Sequence, residues 1–244
     1  MEFVKPNLPV RKVRKLFVSQ LTDKVIYNTL INFGTEPVFL KPSVNLHSEL
    51  RFHPDILVFN IGEGVWLCEK ENEYMFDFCK FVEAGNSLSD GYPNDCILNM
   101  VSVGKCLICG KHKNGYNDKK LLQGFDKVIH VKQGYAKCST VVLDEESFIT
   151  GDPSVYKALK ANKYNALKVT NKGILLNGFS NGFIGGCCGK LDKNILAFTG
   201  KIEDHTDYKN IKDFCGNIGI DILSLSDKML YDYGGLLPVT QIPK

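Results

Sequence analysis

One order of elements recurs along this chain: two adjacent strands, a short helical stretch, then a further strand. Residues 134–150 read G-Y-A-K-C-S-T-V-V-L-D-E-E-S-F-I-T. Asp152-Pro153 then opens a helix, the Asp as N-cap and the Pro as first helical residue, before V-Y-K-A-L-K-A and the apolar run A-L-K-V. Residues 182–198 read G-F-I-G-G-C-C-G-K-L-D-K-N-I-L-A-F, followed by T-D-Y-K-N-I-K-D-F-C-G and I-D-I-L-S-L. Laid on each other without gaps, Gly182 matches Gly134, Phe183 matches Tyr135, and Leu191-Asp192 match Leu143-Asp144, each Leu-Asp opening a turn between strands. Thr206 is expected to cap the second helix and Gly216 to end it.

The pattern recurs more weakly upstream. D-C-I-L-N-M-V-S-V-G-K-C-L-I-C, from Asp95, precedes N-D-K-K-L-L-Q-G-F and the strand D-K-V-I-H-V. D-I-L-V-F-N-I-G-E-G-V-W-L-C, from Asp55, is another two-strand unit. Its helix and strand are expected before it, in T-D-K-V-I-Y-N-T-L-I-N-F-G, where Val25, Ile26, Leu30 and Phe33 form an apolar stripe, and in P-V-F-L. The chain ends on G-G-L-L-P-V-T-Q-I, a strand with no helix after it. Four two-strand units at spacings of roughly 40–50 residues, plus one final strand, suggest radial repetition in a single domain spanning residues 1–244. The last strand would complete the first unit and close the ring. An open α/β sheet is the alternative, with single strands alternating with helices.

A chain of 244 residues can bury a substantial core. A net charge of +3 is too small to imply nucleic acid, and the N-terminal basic cluster (Lys5, Arg11, Lys12, Arg14, Lys15) has no aromatic residues interleaved. No stretch approaches the roughly 18 apolar residues of a membrane span, and the first ten residues lack the apolar core of a signal peptide. The nine cysteines have no disulfide-framework spacing, so reduced thiols in the cytoplasm are expected.

Repeated ββαβ units closing into a five-fold pseudo-symmetric α/β propeller resemble the pentein family, which includes guanidine-modifying deiminases and amidinotransferases. Tyr233-Gly234-Gly235-Leu236-Leu237-Pro238-Val239-Thr240-Gln241 resembles the glycine-rich turn, catalytic cysteine and I-T-Q-like strand that end pentein enzymes. In that register Pro238 takes the cysteine's place. Where those enzymes carry a Gly-His-x-(His)-x-Asp-like stretch, this chain has Gly182-Phe183-Ile184-Gly185-Gly186. The resemblance implies a small amidine-, guanidine- or amide-type ligand and no cofactor. It also implies that any nucleophile must come from another unit.

Two candidate nucleophiles stand at repeat strand starts. Cys138 lies beside Lys137, whose ammonium would favour thiolate, although neighbours in a strand face opposite ways. Cys187, with Cys188, sits among glycines that permit close approach of a ligand; in both places a packed, inert thiol is the plainer reading. His53 is the candidate acid-base group, with Asp55 orienting it or binding a cation. Asn60 and Asn99 interrupt apolar runs and must be hydrogen-bonded if buried, and Asp232 precedes Gly234-Gly235. These four are the candidate ligand contacts. Cys106, Cys109 and His112 form only half of a zinc-knuckle pattern, so no metal is expected; His205 is expected on the surface. An enzyme using Cys138 or Cys187 with His53, and a binding or assembly module that kept the ring without the chemistry, are both consistent with these residues.

Overall fold

The computed structural model describes residues 2–69, 76–84, 87–111 and 124–244. His112 and most of the expected helix N-D-K-K-L-L-Q-G-F lie outside the described residues.

The chain forms a mixed α/β fold with five small sheets. Four of them repeat one plan, in which a first strand pairs antiparallel with a second and the second pairs parallel with a third. Strands β4 (Val58–Gly62), β5 (Val65–Cys68) and β6 (Lys80–Glu83) make one such sheet. The next contains β7 (Val101–Val103), β8 (Cys106–Gly110) and β9 (Lys127–Val131). Then come β10 (Thr140–Val142), β11 (Ser147–Thr150) and β12 (Asn165–Lys168), and β13 (Cys188–Asp192), β14 (Ile195–Phe198) and β15 (Asp221–Ser224). In the ungapped alignment read from the sequence, Thr140 and Ser147 fall on Cys188 and Ile195, which are the first residues of the matching strands.

The fifth sheet is assembled from both ends of the chain. β16 (Leu237–Gln241) pairs antiparallel with β2 (Val13–Val18), which pairs parallel with β3 (Glu36–Phe39), and β1 (Glu2–Phe3) adds to the far edge of β16. The final strand therefore does complete the first unit. Helix α1 (Lys24–Phe33) belongs to that unit, because it connects β2 to β3. This corrects its expected assignment to the β4–β5 hairpin, whose third strand is β6. The sequence hides β6, where Lys80 and Glu83 leave no continuous apolar run.

Local chemistry explains the longer helices. Asp23 accepts from Val25 N at 2.8 Å and Gly34, at φ 86°, ends α1 in a left-handed turn. Ile26 and Leu30 are buried while Val25 is half exposed, so the stripe is narrower than expected. α3 (Pro153–Ala161) starts as its Asp-Pro predicts, with Asp152 Oδ1 accepting from Ser154 N and Val155 N at 2.7 and 2.9 Å. α4 (Tyr208–Gly216) starts after Asp207 rather than at Thr206. The one-turn helix α2 (Pro54–Leu57) places Pro54 at its first position, where a turn was expected.

A three-stranded sheet buries too little to stand alone, and the core joins neighbouring sheets. Val13, Leu16 and Leu30 meet Leu191 and Ala197. Val141 and Ile149 meet Cys188, Leu196 and Phe198. Val103 and Ile108 meet Val142 and Phe148. Phe17 and Leu237 meet Trp66, Phe81 and Leu107. Phe17, Phe148 and Phe198 are fully buried, each contributing about 1.5–3 kcal/mol. No helix among the described residues is long and apolar enough to cross a membrane.

Candidate functional site

The segments that lead into the first strands meet one another. Asp55 comes from α2, Asn99 precedes β7, Cys138 sits in a turn before β10, Ile184–Cys187 is a short 3-10 turn before β13, and Asp232 to Gly235 lead into β16. Cys138 is thus in a turn instead of a strand, and the opposite-face argument for Lys137 and Cys138 does not apply: both are buried.

Hydrogen bonds run from segment to segment. Asn99 Nδ2 donates to Asp55 O at 2.9 Å and to Cys138 Sγ at 3.0 Å. Asn99 Oδ1 accepts from Lys137 N at 2.7 Å and Cys138 N at 3.1 Å. The Cys138 thiol donates to Asp55 Oδ2 at 2.9 Å. Asp232 accepts from Phe183 N at 2.8 Å and Gly234 N at 3.0 Å, while Asp55 N donates to Gly234 O at 3.2 Å. Asp232 Oδ1 also lies 3.7 Å from His53 Nδ1. Two glycines permit this approach: a Cβ on Gly186 would meet the Asp232 carboxylate, and one on Gly234, at φ 79°, would meet His53.

His53, Asp55, Asn99, Cys138 and Asp232 therefore form one buried cluster. Cys187 is separate: its thiol and that of Cys188 both donate to Ile184 O, at 3.2 and 3.3 Å, inside an apolar cluster. All nine cysteines are buried, and none is in a disulfide. Asn60 lies farther along β4, with Oδ1 accepting from Gly62 N at 2.8 Å. His205 is buried, contrary to expectation; its Nδ1 accepts from Asp207 N at 3.1 Å and its Nε2 lies 3.1 Å from Thr170 O.

Burial dominates the electrostatics. It raises the Asp55 carboxyl; the Asp232 charge raises it further, opposed by His53, Lys137 and the Cys138 thiol. It also pushes the Cys138 thiol well up, with the Asp55 and Asp232 charges acting in the same direction. Burial and the two carboxylates, rather than Lys137, therefore set the Cys138 thiol, which stays neutral and donates to Asp55 Oδ2. Cys187 is pushed up as well, by burial and then by Cys188 and Asp232. Neither sulfur has the electropositive, accessible setting of a reactive thiolate.

Beside the cluster lies a cavity of about 20 Å³, large enough for one water. Asp55, Asn60, Trp66, Lys137 and Pro238 are in its wall, as is Asn7, which donates from Nδ2 to Ser102 O at 3.0 Å. Asp55 Oδ1 and Trp66 Nε1 are buried without a hydrogen-bond partner. Sequence reasoning missed Asn7, Trp66 and Lys137 as wall residues. Trp66 carries one signal, being the sole tryptophan; Asn7 carries none, since its position follows from the long return of the N-terminal segment over β16.

The fold is the pentein fold, shared with solved deiminase and amidinotransferase structures. The agmatine deiminase of C. jejuni is similar over 92% of this chain and 91% of its own, at 10% identity and TM-score 0.56. An amidinotransferase from Microseira wollei in the saxitoxin biosynthetic pathway is similar over 99% and 98%, at 11% identity and TM-score 0.55. The inosamine-phosphate amidinotransferase from Streptomyces griseus is similar over 100% and 98%, at 9% identity and TM-score 0.59. Within that fold the chain belongs to a family of unknown function (DUF6873), whose model matches residues 17–237. No curated protein matches it by sequence.

Proposed function

We propose that this protein is a small-ligand-binding pentein that recognises an amidine-, guanidine- or amide-type group at the Asp55–Trp66 cavity, without a cysteine nucleophile. We further propose that the five sheets are the blades of a five-fold propeller forming one domain over residues 1–244. Completion of the first sheet by β16 supports the propeller reading, as do the core clusters that join each sheet to its neighbours.

One observation carries the binding reading. A buried acceptor, Asp55 Oδ1, and a buried donor, Trp66 Nε1–H, both lack partners and both residues wall the same cavity. Each orphaned group costs about 1–3 kcal/mol until something satisfies it. An amide or amidine-type group offers N–H donors to the carboxylate, and an amide offers the indole a carbonyl acceptor as well. A water would satisfy the same pair, and a larger group enters by displacing Asn7. The choice of binding over thiol catalysis rests on the raised, buried thiols of Cys138 and Cys187.

The test is calorimetric titration with acetamide, acetamidine and methylguanidine, each followed by assays for ammonia and urea. Saturable binding is expected, weakened about tenfold or more by Asp55→Asn, with no product formed. No binding by any of the three sinks the reading. Ammonia release abolished by Cys138→Ser replaces it with the enzymatic one.

A further inference from the structure

The buried cluster holds more donor capacity than it uses. His53 Nδ1 and Asp55 Oδ1 are buried and lack hydrogen-bond partners. One ligand atom from each of His53, Asp55 and Cys138 lies within 4.8 Å of the other two, and all three residues are buried. An imidazole nitrogen, a carboxylate and a sulfur make a mixed donor set suited to zinc and poorly suited to magnesium or calcium, which take oxygen ligands.

We propose that His53, Asp55 and Cys138 bind one divalent transition-metal ion, zinc by its donor chemistry, through Nδ1, Oδ1 and Sγ. Water takes the fourth position. Asp55 also walls the cavity of about 20 Å³, which has room for that water. Binding forms a sulfur–metal bond and breaks the S–H bond of Cys138; the released proton goes to solvent and nothing is oxidised or reduced. The two charges of the ion are then balanced by the Asp55 carboxylate and the Cys138 thiolate.

The surroundings are built to hold that arrangement. Asn99 keeps its amide on the sulfur at 3.0 Å, and its own orientation is fixed by Lys137 N and Cys138 N on Oδ1. Asp232 stays outside the coordination shell, because Phe183 N and Gly234 N already hold its oxygens. Its Oδ1 lies 3.7 Å from His53 Nδ1, close enough for its charge to favour a cation there.

The inference shares Asp55 with the proposed ligand site, and it is tested with metal ions alone. Metal-free protein is titrated with Co²⁺ and then Zn²⁺. One equivalent of cobalt is expected to bind, to show a thiolate-to-cobalt charge-transfer band, and to be displaced by zinc. Cys138→Ser abolishes the band, and His53→Gln weakens cobalt binding about tenfold or more. Cys109→Ser leaves the band intact, which matters because Cys109 Sγ lies 3.5 Å from His130 Nδ1 and is the rival sulfur–imidazole pair. The proposal fails if the wild-type protein binds no cobalt, if bound cobalt lacks the band, or if the band survives Cys138→Ser or disappears in Cys109→Ser. Should Cys138→Ser not fold, undiminished cobalt binding by His53→Gln overturns it. Metal uptake without amidine or amide binding sinks only the ligand reading; ligand binding without metal uptake sinks only this one.

Discussion

The turns before β10 and β13 occupy matching places in the repeat and hold cysteines with opposite surroundings. Cys138 donates its S–H to the Asp55 carboxyl and accepts an amide N–H on its sulfur. Cys187 donates a hydrogen bond to the carbonyl of Ile184 and is packed among Val141, Ile149 and Phe198. The difference comes from across the interface. Asn99 and Asp55 reach the first turn from two other units, whereas glycines fill the second so that Asp232 can sit against it. Place in the repeat sets where the backbone runs; the side chains arriving from other repeats set what a thiol there can do.

Gly186→Ala should be the most damaging way to break this contrast. Its Cβ would meet the Asp232 carboxylate, which accepts from Phe183 N and Gly234 N. Moving that carboxylate leaves one buried and one partly buried donor unpaired and overpacks the turn, an expected loss of about 3–5 kcal/mol in urea unfolding. A loss under about 1 kcal/mol would mean that Asp232 is not what holds the last turn to the apolar one.

Serine and alanine substitutions sharpen the contrast by reversing an order. Cys138→Ser keeps a hydroxyl between Asp55 and Asn99 and should cost less than about 1 kcal/mol, while Cys138→Ala strips the partner from a buried carboxylate oxygen and should cost about 2–3 kcal/mol. At Cys187 the apolar packing dominates, so serine should be the worse change, by about 1 kcal/mol over alanine. If both sites rank alike, the two environments differ less than their hydrogen bonds indicate.

Much of the scaffold was legible because backbone chemistry repeats where side chains do not. The Leu-Asp turns, the Asp-Pro start of α3 and the final strand that completes the first unit were all readable, and each acts within its own segment or through strand count. The cluster was legible as a set of residues but not as a chemistry. His53, Asp55, Asn99, Cys138 and Asp232 could be listed from their places at strand starts, yet burial raises the Cys138 thiol that a neighbouring lysine was expected to lower. The grouping proposed to hold a metal was not considered from the sequence, because cysteine pairs were sought in one segment, at Cys106 and Cys109, while its members come from the start of α2 and the turn before β10. Asn7 depends on a contact between residues 95 positions apart, which no local pattern encodes.

The gentlest test compares the two regions by pH. Asp55 has a raised carboxyl, so above its ordinary value of 3.8 the unfolded chain ionises first. Its contribution to stability is complete below 3.8 and is lost as pH rises through the folded value. Lys190, on the strand that follows Cys187, has the reverse slope. Burial lowers its ammonium from 10.5 to about 8, even though Nζ donates to Leu143 O at 2.7 Å. Below pH 8 both states are protonated and the fold bears the full cost of a buried charge; between 8 and 10.5 the unfolded chain binds more protons, so stability rises with pH. Urea unfolding across that range should therefore show an upward slope that Lys190→Met flattens and Asp55→Asn leaves unchanged. Asp55→Asn should instead flatten a downward slope that starts near pH 4. A Lys190→Met profile parallel to wild type between pH 8 and 10.5 would mean that its ammonium reaches solvent, and the region around β13 would then be less dry than its packing indicates.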